Sequence, residues 1–134
     1  MINNKRYSGF SLVELLIVLA MVGILVNISY FSYIGHVTKV RRSNAVIVLI
    51  DLASRLEQYY SEHYTYVGAE LKNMLKVNKF YQLEITSADA DSFLIKAIPI
   101  GVQAQKDHKC GTLILDNLGN ESIGGTGIVG DCWR

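Results

Sequence analysis

GFSLVELLIVLAMVGILVNISYFSYIG, residues 9–35, is the stretch on which the fold turns. Between Leu15 and Gly35 there is no charged side chain. As a helix that run would be about 31 Å long, close to the hydrocarbon thickness of a bilayer. No A-x-A-like site follows it, which argues against an ordinary secretory signal peptide. Tyr30, Phe31 and Tyr33 cluster at its far end, where aromatic rings favour the membrane–water interface. Lys5 and Arg6 flank one side, Lys39, Arg41 and Arg42 the other, so the positive-inside rule does not orient the span.

Glu14 does not belong to a plain anchor. A carboxylate in an apolar span costs about 2.5–3.5 kcal/mol at the bilayer centre and less near an end. One reading lets Glu14 reach the headgroups from the first turn. The other pairs it with a positive charge created by processing. A cut between Gly9 and Phe10 would place a new α-amino group four residues from Glu14, and residues at i and i+4 are neighbours on a helix. The same amine on an adjacent subunit is an equivalent partner.

Gly9-Phe10-Ser11-Leu12-Val13-Glu14-Leu15, preceded by a short basic leader and followed by an uncharged helix, resembles the class III signal of type IV pilins and pseudopilins. That resemblance implies a prepilin peptidase as partner, cleavage between Gly9 and Phe10, N-methylation of Phe10, and an assembly role for Glu14. It divides the chain into a leader (1–9), a hydrophobic transmembrane and assembly helix (10–35) and a pilin globular domain (36–134). Many members carry a proline about twenty residues into the mature helix, where this chain has Phe31. Gly23 is left as the only helix loosener in the run. Asn27 would either bond a neighbouring helix or satisfy local backbone.

Beyond Gly35 the text is that of a single modest domain. Residues 36–134 carry 11 basic and 11 acidic side chains, which argues against bulk electrostatic binding of nucleic acid but leaves room for a local patch. Residues 36–63 contain neither Pro nor Gly, and Val40, Ala45, Leu49, Leu52, Ala53, Leu56 and Tyr60 fall at helical spacing. One helix of about 50 residues is expected, its second half carrying a sheet on the apolar face. The opposite face, with Lys39, Arg42 and Arg55, would be free to meet other subunits. A short helix is expected at Leu71–Val77. Strands are expected at Tyr81–Thr86, Ser92–Pro99, Gly111–Asp116 and Glu121–Ile123, with turns at 89–91 and 117–120. The predicted class is α+β: a long N-terminal helix on an antiparallel sheet.

Cys110 and Cys132 are the only cysteines. An even count in a non-cytosolic domain suggests one disulfide, and two buried free thiols is the other reading. A bridge would close a loop of about 20 residues, worth roughly 3 kcal/mol in the chain-entropy model. His36, His63 and His108 form no metal-ligand pair. Ser43, His63 and Asp107 read as surface residues, with no catalytic constellation, so neither enzyme activity nor a cofactor is expected.

The closing text, Lys109-Cys110-Gly111-Thr112-Leu113 through Asp131-Cys132-Trp133, is similar to minor pilins of the PilE type. The resemblance implies a C-terminal loop pinned by the disulfide. It also implies a prepilin in the bacterial inner membrane, its C-terminal domain periplasmic, that joins other pilin subunits and the pilus assembly platform to form a fibre. Such fibres serve adhesion, twitching motility or DNA uptake. The same subfamily includes a pilin that binds DNA during natural transformation. Lys106, His108 and Lys109 are the candidate DNA contacts, with Trp133 near them through the bridge. Asp107 in their midst counts against that reading. A type II secretion pseudopilin is a third reading of the N-terminus.

Overall fold

A computed structural model describes residues 9–69 and 79–134. The expected helix at Leu71–Val77 lies outside the described residues, as do Lys5 and Arg6. The chain divides after Gly35 into an apolar unit and a globular unit, His36–Arg134.

Helix α1 runs Leu12–His63, 52 residues. Its first backbone bond runs from the Leu15 N–H to the Ser11 carbonyl, which makes Ser11 the N-cap. It stops at Tyr64, whose φ of 56° is left-handed and whose N–H closes the last turn on the Tyr60 carbonyl at 2.7 Å. From Leu12 to Tyr33 every described side chain is exposed.

In the globular unit four strands follow: β1 (Tyr81–Ala88), β2 (Phe93–Pro99), β3 (Leu113–Asp116) and β4 (Glu121–Ile123). They form one antiparallel sheet in the order β1-β2-β3-β4. Leu83 faces Ala97, Ile95 faces Leu115 and Ala97 faces Leu113 across the ladders, so one face of the sheet is continuously apolar. A bulge between Ile85 and Ser87 lengthens β1 past the expected Thr86 and lets Ala88 pair with Phe93. Two short helices accompany the strands, α2 (Val102–Lys106) between β2 and β3 and α3 (Val129–Cys132) after β4.

The core lies between α1 and that apolar sheet face. Ala45, Val46, Leu49, Leu52 and Leu56 from the helix are buried with Tyr81, Leu83, Phe93, Ile95, Ala97, Leu113 and Leu115 from the strands. Full burial of a Leu or Ile contributes about 1.5–3 kcal/mol, so this seam is the main attractive term in the unit. Tyr66 closes the far end, stacked on Tyr60 and edge-on to Phe93. Val40 departs from the expected stripe: it is 46% exposed, because the seam begins only at Ala45 and the turns before it face α2 with polar groups.

Candidate functional site

The first candidate site is the start of α1. Gly9, Phe10 and Ser11 precede the helix, and all three are exposed. Nothing lies within 4 Å of where a Gly9 Cβ would stand, so the fold itself does not require glycine there. Glu14 is in the first turn, where a carboxylate complements the helix dipole. Ser11 and Glu14 have the spacing of a capping box, a signal overlooked when Glu14 is read only as an intramembrane charge. Among the described residues no bond joins the Glu14 carboxylate to the Ser11 backbone, so its acceptor oxygens remain open. Phe10 sits one position before the N-cap. A helical i, i+4 relation with Glu14 therefore needs the helix to extend back over Phe10, or the amine of a neighbouring subunit.

Asn27 resolves to the local alternative. Its Nδ2 donates to the Gly23 carbonyl, 2.8 Å away on the preceding turn. The amide is thereby held along the helix, at the one residue in that turn without a side chain.

The second candidate site is in the globular unit and is organised by Asp107. Sequence reading puts this residue on the surface; the structure buries it to 3% exposure. One carboxylate oxygen pairs with the Arg42 guanidinium. The other accepts from the Tyr81 hydroxyl at 2.9 Å and from Gln103 Nε2 at 3.1 Å. Gln103 Nε2 also reaches the Thr38 carbonyl and the Tyr81 hydroxyl, each at 3.1 Å. Helix α1, strand β1 and helix α2 thus meet at one carboxylate. Burial pushes the Tyr81 phenol well above its ordinary range. Arg42 is therefore an interior ion-pair partner and not part of the free outer face expected for it.

The same Asp107 shapes the turn that follows. Its carbonyl accepts from the N–H groups of Cys110 and Gly111. Lys106, His108 and Lys109 are turned outward and exposed while Asp107 points in. The acid that counted against a basic surface is thus removed from it. Trp133 itself is buried, with its indole N–H donating to the Ser122 carbonyl at 3.2 Å, so its ring is not part of the exposed basic surface.

Cys110 and Cys132 are bridged, with Cα atoms 5.6 Å apart and both side chains buried. The loop Gly124–Gly127 lies against the bridge. Gly125 donates to the Cys110 carbonyl and Gly127 to the Lys109 carbonyl. A Cβ at Gly125 would meet the Lys109 carbonyl oxygen at 2.1 Å, so this approach requires glycine. Among the described residues no cluster of His, Cys, Asp and Glu has the arrangement of a metal site.

The family described as type IV minor pilin ComP, DNA uptake sequence receptor, matches residues 32–114, and the prokaryotic N-terminal methylation motif matches residues 4–26. A fimbrial protein of Neisseria meningitidis serogroup B is 32% identical over 65 residues, 48% of this chain and 38% of that protein. The type IV major pilin protein PilE1 of Neisseria gonorrhoeae is 33% identical over 60 residues, 45% of this chain and 36% of that protein. The chain thus matches little more than a third of the length of these relatives. The crystal structure of the non-core minor pilin PilV of N. meningitidis superposes with a TM-score of 0.58 at 26% identity, covering 70% of this chain and 93% of that one. A type IV pilin of Shewanella oneidensis gives a TM-score of 0.50 at 29% identity, covering 63% and 89%.

Proposed function

Since this chain belongs to the type IV minor pilins, we propose that it is made as a membrane-anchored prepilin, cleaved between Gly9 and Phe10, N-methylated on Phe10, and then built into or used to prime a pilus fibre. The observation that carries this reading is the exposed apolar half of α1 with one open carboxylate, Glu14, under the N-terminal methylation motif. The bilayer and a fibre core are both apolar. The same surface can therefore pass from one to the other without meeting water. Glu14 then neutralises an N-terminal amine, its own or a neighbour's, and sets register between subunits.

In this scheme the prepilin sits in the inner membrane with the globular unit in the periplasm, an oxidising space that suits the Cys110–Cys132 bridge. Its partners are prepilin peptidase, the assembly platform and other pilin subunits. The minor rather than major role is supported by the matched family and by the likeness to PilV. Its test is a Gly9→Leu variant, which should accumulate as uncleaved precursor. A Phe10 N-terminus in that variant would refute the assigned cut.

A second reading is supported by the description of the matched family as a DNA uptake sequence receptor. With Asp107 turned inward, Lys106, His108 and Lys109 form an exposed basic turn suited to phosphate contact. Salt-dependent retention of duplex DNA by the chain, weakened by Lys106→Gln and Lys109→Gln, is expected. No retention at low salt would remove this reading.

A further inference from the structure

The segment that directly follows the apolar run carries a cluster that none of the roles above uses. Arg41 lies six residues after Gly35. Chain connectivity alone keeps Arg41 within about 20 Å of the end of that run. The turn before β1 brings Lys79 and Phe80 to the same place from nearly forty residues further along. The Arg41 guanidinium carbon stands 3.7 Å from the Phe80 ring centroid, and Lys79 Nζ stands 5.2 Å from it. Together the two distances hold the two cationic groups within about 9 Å of each other.

Arg42 is compensated by Asp107, but among the described residues neither Arg41 nor Lys79 meets a carboxylate. Two like charges gathered over one ring repel each other. A phosphate shared between them relieves that repulsion, and Arg in particular grips phosphate oxygens with a two-pronged donor set. Basic and aromatic side chains next to a membrane span are what an anionic headgroup layer attracts.

We propose that Arg41, Lys79 and Phe80 form a binding site for the phosphodiester headgroup of an anionic phospholipid, occupied while the subunit is still in the membrane. The site rests on the membrane-anchor reading of α1. It holds the globular unit against the bilayer surface and is vacated when the subunit leaves for the fibre.

The test uses the full chain reconstituted in discs of phosphatidylcholine mixed with phosphatidylglycerol, with retained lipids counted by native mass spectrometry. Preferential retention of phosphatidylglycerol is expected. Arg41→Gln and the exposed, fold-neutral Lys79→Gln should each lower that preference about fivefold, and Arg55→Gln should leave it unchanged. Equal retention of the two lipids, or a preference indifferent to both variants, overturns the site but not the anchor. Failure of the chain to enter the discs overturns the anchor reading and the site with it. Displacement of the lipid by free glycerol phosphate would make this a soluble-anion site. Displacement by a short DNA duplex would make it a nucleic-acid face. Either displacement overturns the lipid assignment.

Discussion

Arg42 on α1 and Asp107 after α2, 65 residues apart in sequence, form an ion pair that is almost wholly buried. The pair joins the long helix to the turn that carries both the exposed basic residues and Cys110. Because Tyr81 and Gln103 also donate to Asp107, removing its carboxylate takes the acceptor from Arg42 and Tyr81 and one of three partners from Gln103.

Asp107→Ala should therefore destabilise the globular unit by about 3–5 kcal/mol, the usual cost of orphaning one partner of a buried pair. Denaturant titration of the full chain in detergent measures this. A loss below about 1 kcal/mol would mean that the pair is solvated and marginal.

The C-terminal loop should depend on both the bridge and Gly125. Reduction of Cys110–Cys132 is expected to cost roughly 3 kcal/mol and to shift Trp133 emission as its burial loosens. Gly125→Ala should cost about 1–3 kcal/mol, because the Lys109 carbonyl cannot retreat freely. Gly130→Ala, where a Cβ meets nothing within 4 Å, is the control and should be far milder. Equal effects at the two glycines would contradict the close approach.

Asp116 makes the β3–β4 hairpin pH-dependent. Its carboxylate accepts from Asn120 Nδ2 and from the backbone N–H groups of Asn120 and Leu118. The Asn120 side chain first, and then those backbone donors, hold the carboxyl below the usual range. A depressed carboxylate contributes stability that is present above its unfolded pKa and lost as pH falls through the folded one. Hairpin amide signals should therefore titrate below about pH 3.9, and Asp116→Asn should abolish that transition. At the alkaline end, burial and the bond to Glu57 push Tyr66 up to about 12. Its contribution is full below pH 10 and lost toward 12, so Tyr66→Phe should flatten that limb of the melt.

Glu14→Val should leave membrane insertion and Gly9–Phe10 cleavage intact while reducing incorporation into fibres. Normal incorporation would sink the pairing of Glu14 with an N-terminal amine.

What could be read from the sequence was periodic. The long helix and the four strands follow from spacing, and their ends differ by one or two residues where a bulge or turn intervenes. Helices α2 and α3, five and four residues long, are too short to show a period. Asp107 reads as solvated because it sits between Lys106 and His108. Its burial is decided by Arg42, Tyr81 and Gln103, distant in sequence or aligned only by an unexpected helix. The burial of Trp133 is equally hidden, because the Ser122 carbonyl that its indole bonds comes from strand β4. The open carboxylate of Glu14 is legible at once, because an acid beside a run of 21 uncharged residues needs no tertiary context to stand out.

The most direct measurement is the intact mass of this chain recovered from sheared, purified fibres. A chain beginning at Phe10 and carrying one methyl group is expected. A chain retaining residues 1–9, or complete absence from fibres and from the processed membrane pool, would contradict a pilin that is cut, methylated and assembled.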